Sequence, residues 1–144
     1  MQDDLDRIMA VMQAAFDPAY GEAWTRRQVE DALVLGNCHY CLVYSDGEPA
    51  GFYLSRHGFE EEELLLIAVD PRFRRRGFAQ YLLDDLARQA ALRGARRLLL
   101  EMRRNNPAAA LYRRNGFVPI GERLHYYRTP SGERLDAITL ARDL

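Results

Sequence analysis

The passage that most restricts the fold is residues 61–94, EEELLLIAVDPRFRRRGFAQYLLDDLARQAALRG. Residues 61–69 end in an unbroken apolar run, the pattern of a central strand covered on both faces. Beyond the loop, Ala79, Leu82, Leu83, Leu86 and Ala90 fall on one helical stripe that Gly94 closes. A helix start leaves free N–H groups, and Arg74, Arg75 and Arg76 crowd this one, although cations are unfavourable at the positive end of a helix dipole. An anion held among them removes the conflict. Free amides and the dipole bind phosphate, Gly77 lets the backbone approach closely, and guanidinium groups add charge-assisted bonds. On residue types alone, the run fits a solvated face or a nonspecific polyanion patch as well. The loop lacks both the GK signature of a P-loop and the GxGxxG dinucleotide turn.

The remaining segments punctuate as helices and strands. Leu5, Ile8, Met9, Met12 and Phe16 recur at helical spacing over residues 4–16, and residues 17–24 read as a loop. Thr25 followed by Gln28 predicts a capping box opening a helix through about Leu35. Residues 39–45, the turn DGEP and residues 50–56 read as a hairpin, and RRLLLEM (96–102) as a second buried strand. In NNPAAALYRRNG, Asn106 stands at N-cap, Pro107 at N1 and Gly116 at C′ of a short helix. Residues 117–127 and 135–141 complete the pattern as two strands around the turn TPSGE. With no repeat or linker, the chain reads as one α/β domain with a mixed sheet over residues 1–144.

Composition sets bounds on function. A chain of 144 residues, 48% hydrophobic and 28% charged, can bury a core without disulfides or metal. Its net charge of -1 gives no global field toward nucleic acid or membrane. All 20 basic residues are arginine, so no lysine is available as a Schiff-base or general-base group. No apolar run reaches the roughly 20 residues of a membrane span, and the acidic start does not read as a signal peptide, so a cytoplasmic location is expected. Cys38 and Cys41 flank His39, but no second pair completes a tetrahedral metal site. Three residues apart in a strand, they point to opposite faces and read as ordinary strand residues in a reducing compartment. No metal is expected.

The chain resembles the GNAT N-acetyltransferase family. Arg74-Arg75-Arg76-Gly77-Phe78-Ala79 matches the family's Q/R-x-x-G-x-G/A acetyl-CoA motif, with IAVDP before it and NNPAAALYRRNGF after it in the family's order. From Glu61 to the C-terminus the match is close to the bacterial branch acting on ribosomal-protein alanine N-termini. EMRRNN, Arg123, Tyr126, Tyr127, Gly132 and DAI at 136–138 all fall where that branch has them, and AWTRRQVEDAL is similar more weakly. The resemblance implies a mixed, mostly antiparallel sheet flanked by helices, and acetyl-CoA as cosubstrate. It implies a protein N-terminus as acceptor, that of a small-subunit ribosomal protein, without nucleic acid or membrane. It leaves acetylation of a small amine or a lysine side chain, and a non-catalytic acyl-CoA-binding or RNA-gripping role, as rivals. Two departures stand out. The fold usually opens with a strand, yet this chain enters on its first helix. Glu101 and Tyr112 also stand one residue closer than the family pattern has them, the loss falling between Glu101 and Asn105.

Carried onto this sequence, the resemblance makes Glu101 the base and Tyr112 the acid. It makes Ile67, Ala68 and Val69 the backbone partners of pantetheine, as in strand addition, with the Val69 amide as oxyanion donor. Arg74, Arg75, Arg76, Gly77, Phe78, Ala79, Gln80 and Asn105 become further cofactor contacts. An α-amino group of pKa about 8 is roughly a tenth neutral at pH 7, so a base helps by about 10²–10⁴. Glu101 ends an apolar run, where burial favours a proton, and reads alternatively as an ion pair with Arg103 or Arg104. Tyr112 reads alternatively as a packed core ring. Glu61, Glu62 and Glu63 are rival carboxylates, at least two of them expected as a solvated strand start. Trp24, Tyr126, Tyr127 and the 129–135 turn could wall a peptide groove.

Overall fold

Local signals place most of the elements. In the computed structural model, which describes residues 3–144, Asp3 caps α1 (Asp4–Ala15). Thr25 and Gln28 complete the capping box of α2 (Arg26–Val34): the Gln28 N–H donates to Thr25 Oγ1 at 3.2 Å, and the Thr25 N–H to Gln28 Oε1 at 2.8 Å. The hairpin follows as β1 (Cys38–Ser45) and β2 (Glu48–His57), then β3 (Glu61–Val69), α3 (Phe78–Leu92), β4 (Arg97–Arg103), α4 (Ala109–Arg114), β5 (Val118–Arg128) and β6 (Arg134–Asp143). Short 3-10 turns at Pro18–Tyr20 and Pro71–Phe73 break the loops after α1 and β3.

One helix start differs from the sequence reading. α4 begins at Ala109, with Ala108 rather than Asn106 at its N-cap. Asn106 still ties the turn, its Oδ1 accepting from the Ala108 N–H at 2.8 Å and its carbonyl from Ala109 at 3.1 Å. That bonding tightens residues 106–109 ahead of the first α-helical turn. At the other end Gly116, at φ 87°, closes the helix in the left-handed conformation.

The six strands of the described chain run β1-β2-β3-β4-β6-β5. Every pairing is antiparallel except β3–β4, which α3 joins as a parallel crossover. The described chain enters on α1, and β1 lies at one edge of the sheet. On one face α1 and α2 bury Ile8, Val11, Met12 and Val29 against Phe52, Leu54, Leu66 and Ala68. On the other, Leu82, Leu83 and Leu86 of α3 and Tyr112 of α4 pack on Tyr53, Leu64, Leu98, Leu100 and Leu140. Each fully buried leucine contributes about 1.5–3 kcal/mol. Cys38 packs with the first cluster and Cys41 with the second, on opposite faces, as strand alternation requires.

The feature that shapes the site is a one-residue register shift. Leu54 pairs with Leu66 but Ser55 with Leu64, so Leu65 is extra on β3. The bulge reverses the alternation: Leu64 faces α3, whereas Leu65 and Leu66 both pack toward α1. A bulged strand bends and twists more strongly. The β3–β4 ladder stops at the same place, running only from Glu61↔Arg97 to Leu64↔Leu100. Beyond it β3 stays on β2 while β4 stays on β6, and a gap opens between them.

Candidate active site

Strand geometry decides which backbone groups face that gap. The Asp70 N–H donates to the Ala50 carbonyl on β2 at 2.8 Å. In an antiparallel ladder successive residues point their N–H and C=O to opposite sides. Val69 and Ile67 therefore aim into the gap. Ala68 aims at β2, where its carbonyl lies 2.9 Å from the position a Cβ on Gly51 would take. Of the three residues expected to offer backbone groups to a ligand, Ile67 and Val69 turn theirs into the gap, whereas the Ala68 groups are turned onto β2.

The gap leads to the arginine loop. Gly77 is the N-cap of α3 at φ 81° with no side-chain cap, and Arg75 is also left-handed at φ 64°. The first bond into the helix is Tyr81 N–H to the Gly77 carbonyl, 3.0 Å. Among the described residues, the N–H groups of residues 75–80 have no acceptor. Nothing stands within 4 Å of where a Gly77 Cβ would be, so the loop is open at that point. Phe78 and Ala79 are half-buried at the helix start, and Phe78 packs into the α3-side core. All three arginine side chains of the loop are exposed. Arg74 reaches the Ala15 carbonyl at 3.4 Å, and Arg76 reaches Ser45 Oγ at 3.4 Å while lying over Phe73, 5.6 Å from its centroid. Gln80 exchanges amide bonds with Asn115 (2.6 and 3.0 Å) and donates to Asp84, bridging α3 to α4.

Glu101 lies one residue past Leu100, the last β4 residue paired to β3, so it stands where the gap begins. Its side chain is 28% exposed and faces Arg123 Nε at 3.8 Å. The alternative reading named the wrong partners, because Arg103 pairs with Glu22, and Arg104 with Glu122 and Asp136. Asn105 is exposed and left-handed at φ 66°. Tyr112 is 6% exposed and meets Phe117 edge-on at 5.9 Å. Burial first, then the Glu22 charge and Tyr127, push its phenol up to about 12. Half-buried Tyr127 is also pushed up to about 12, by burial and then by Glu101 and Glu22. Both phenols hold their protons across the working pH range. Tyr126 is exposed, edge-on to Tyr127 at 5.9 Å, and Trp24 packs toward α1 and α2.

The rival carboxylates lie at the far end of β3. Glu62 is fully buried, taking two bonds from Arg93 (2.8 and 2.5 Å) and one from Ser55 Oγ (2.7 Å). Glu61 pairs with Arg97 at 2.8 Å and Glu63 with Arg56 at 3.0 Å. Glu61 and Glu63 are thus solvent-facing ion pairs, as expected of a strand start, and Glu62 alone is enclosed. Glu22 is the group the sequence reading missed. It sits in a loop with no motif, and its partner Arg103 stands 81 residues away.

Residues 5–117 match the acetyltransferase (GNAT) family. The chain is 41% identical over 143 residues to the [ribosomal protein bS18]-alanine N-acetyltransferase of Haemophilus ducreyi, covering 98% of this chain and 94% of that one. It is 41% identical over 98 residues to that of Salmonella typhimurium, a match spanning 67% of this chain and 66% of the relative's length. The crystal structure of the ribosomal-protein-S18-alanine N-acetyltransferase from Escherichia coli superposes with a TM-score of 0.84 at 30% identity, covering 99% of this chain and 90% of that one. A split parallel pair leading to uncapped helix amides, matched over most of the chain by these relatives, places the chain in the acetyltransferase (GNAT) family.

Proposed function

We propose that the chain transfers acetyl from acetyl-CoA to a protein N-terminal amine, that of a small-subunit ribosomal protein. The observation that carries this reading is the break of the β3–β4 ladder after Leu64, which opens the free groups of Ile67 and Val69 toward unbonded amides at residues 75–80. The residues fit the cosubstrate. The amides and the helix dipole suit its pyrophosphate, and the β3 edge suits pantetheine as an added strand. Acetyl-CoA supplies the acyl thioester. Relatives acting on ribosomal-protein alanine support the choice of acceptor.

The chain's residues then divide the work. Glu101 takes a proton from the incoming ammonium, directly or through one water, and the amine nitrogen bonds to the acyl carbon. The Val69 N–H donates to the developing oxyanion. Tyr112 donates to sulfur as the C–S bond breaks. With its phenol at about 12, full transfer to a thiolate of conjugate pKa about 8.5 runs uphill. Hydrogen-bond donation is therefore its first contribution. As the C–S bond breaks the phenol proton passes to sulfur, and the second proton that nitrogen sheds in forming the amide restores the phenol, leaving amide, CoA thiol and the proton taken by Glu101. A panel of N-terminal peptides, lysine-bearing N-blocked peptides and free amines tests the reading by mass spectrometry. Acetylation confined to free α-amino groups of peptides is expected; turnover of only the other two classes sinks it.

A further inference from the structure

Arg103 is a buried arginine that the mechanism above does not use. It lies two residues after Glu101 on β4 and so shares its face of the sheet. It is 7% exposed, and its guanidinium joins three segments. Nε donates to Glu22 Oε1 at 3.1 Å, Nη1 donates to the Asn105 carbonyl at 3.2 Å, and the group lies 3.6 Å from the centroid of the Tyr20 ring. Tyr20 and Glu22 belong to the loop between α1 and α2; Asn105 belongs to the turn that leads to α4 and Tyr112. On its other side the same loop meets the β5–β6 turn, where Pro130 lies 3.5 Å from the Cβ position of Gly21. The loop is thus fixed between the end of the Glu101 strand and the turn beyond Tyr127. The Glu22 charge acts on both Tyr112 and Tyr127.

We propose that Arg103 is a positioning residue: by clamping Glu22 and Tyr20 it holds residues 17–22 as the acceptor-side wall of the site, beside Glu101, Tyr112 and Tyr127. The proposal rests on the acetyl-transfer reading. An arginine fork suits the task, because it ties a carboxylate, a carbonyl and an aromatic face at once, which a lysine cannot. Apart from the clamp and the Pro130 contact, the loop is ordered only locally, by the Asp17 cap on the Ala19 N–H (2.9 Å) and the bonds of its 3-10 turn, while Asp17, Pro18, Ala19 and Gly21 are all exposed. Without the clamp the wall moves, and a misplacement near 1 Å costs about 10²-fold in a positioned reaction. The loss should fall mainly on the acceptor: the arginine loop and the β3 edge lie elsewhere, and Asn105, the one expected cofactor contact the clamp touches, is held through its carbonyl rather than its side chain.

The test varies peptide at saturating acetyl-CoA, with acetyl-CoA affinity measured by calorimetry and folding by thermal melts. Arg103→Met should raise the peptide KM by about 10–100-fold while acetyl-CoA affinity stays within about twofold. Tyr20→Leu should raise KM in the same direction, and Tyr20→Phe, which keeps the ring, should behave as the parent. Arg103→Met leaves Glu22 unpaired and lowers the melting temperature, so the double variant Arg103→Met/Glu22→Gln is decisive. Removing both charges restores much of the stability, yet the wall remains unclamped and KM stays high. A peptide KM that returns to the parent's value in the stable double variant overturns the clamp while leaving the acetyl-transfer reading intact. A loss of acetyl-CoA affinity in parallel with KM also overturns it. If the parent acetylates only some other amine, the functional reading fails, and the clamp is judged on KM for that amine.

Discussion

Replacing Arg93 by methionine separates the carboxylate that builds the fold from the one assigned to chemistry. Glu62 has no exposed surface, and all its recorded bonds come from Arg93 and Ser55. Burial alone would push its carboxyl up, but the Arg93 and Ser55 bonds outweigh this and hold it below its usual 4.5. Removing one partner of such a pair costs about 3–5 kcal/mol, or roughly 10 °C in melting temperature for a domain of this size. The pH dependence carries the sharper signature. In the parent, a depressed folded value contributes stability that is present above about 4.5 and lost as the pH falls through the folded value. In Arg93→Met burial is opposed only by the Ser55 hydroxyl and the weaker effect of His39, so the folded value moves above the unfolded one, and stability is lost as pH rises through it. The gap between the parent and Arg93→Met should therefore be widest near neutrality and narrow toward pH 4. Thermal melts at pH 7, 5 and 4 measure this. A gap that is equal at all three, or a loss under about 1 kcal/mol at pH 7, refutes the account of Glu62 as a structural ion. Activity per folded molecule should be unchanged in Arg93→Met, because the pair lies at the β3 end opposite Ile67 and Val69.

Glu101→Gln should lower kcat, most at low pH where deprotonating the amine is the harder task; a rate and pH profile equal to the parent's would remove Glu101 as the base. Tyr112→Phe keeps the packing against Phe117, so its melting temperature should hold while kcat and kcat/KM fall together by about 10²–10⁴. Full activity in that variant excludes a role for the hydroxyl. A Cβ added at Gly77 meets no neighbour within 4 Å, but Gly77→Val must adopt φ 81°, costing roughly 1–2 kcal/mol. It should weaken acetyl-CoA binding by at least about tenfold as its side chain enters the space before the free amides; unchanged affinity in calorimetry moves the pyrophosphate site elsewhere.

What the chain determined by itself was local. The capping box at Thr25 and Gln28, the stripe of α3 and the opposite faces of Cys38 and Cys41 follow from spacings of three or four residues, within reach of one turn or one pleat. Gly77 marked the proposed anion site for the same reason: a helix start carries its own free amides wherever it lies. Even there, the pull of Asn106 on its own turn displaced the start of α4 by more than the pattern allowed for. The tertiary structure decided the rest. In LLLI either face accepts any residue, so the extra Leu65 leaves no trace in the hydrophobic pattern, although it opens the gap and turns Ala68 onto β2. The partners of the arginines were equally hidden. A guanidinium can pair with any carboxylate the fold delivers, and only the assembled sheet brings Glu22 to Arg103 and encloses Glu62 with Arg93. Charge pairing depends on distances that strand order and register set, and those arise from the packing of the whole chain rather than from any one segment of it.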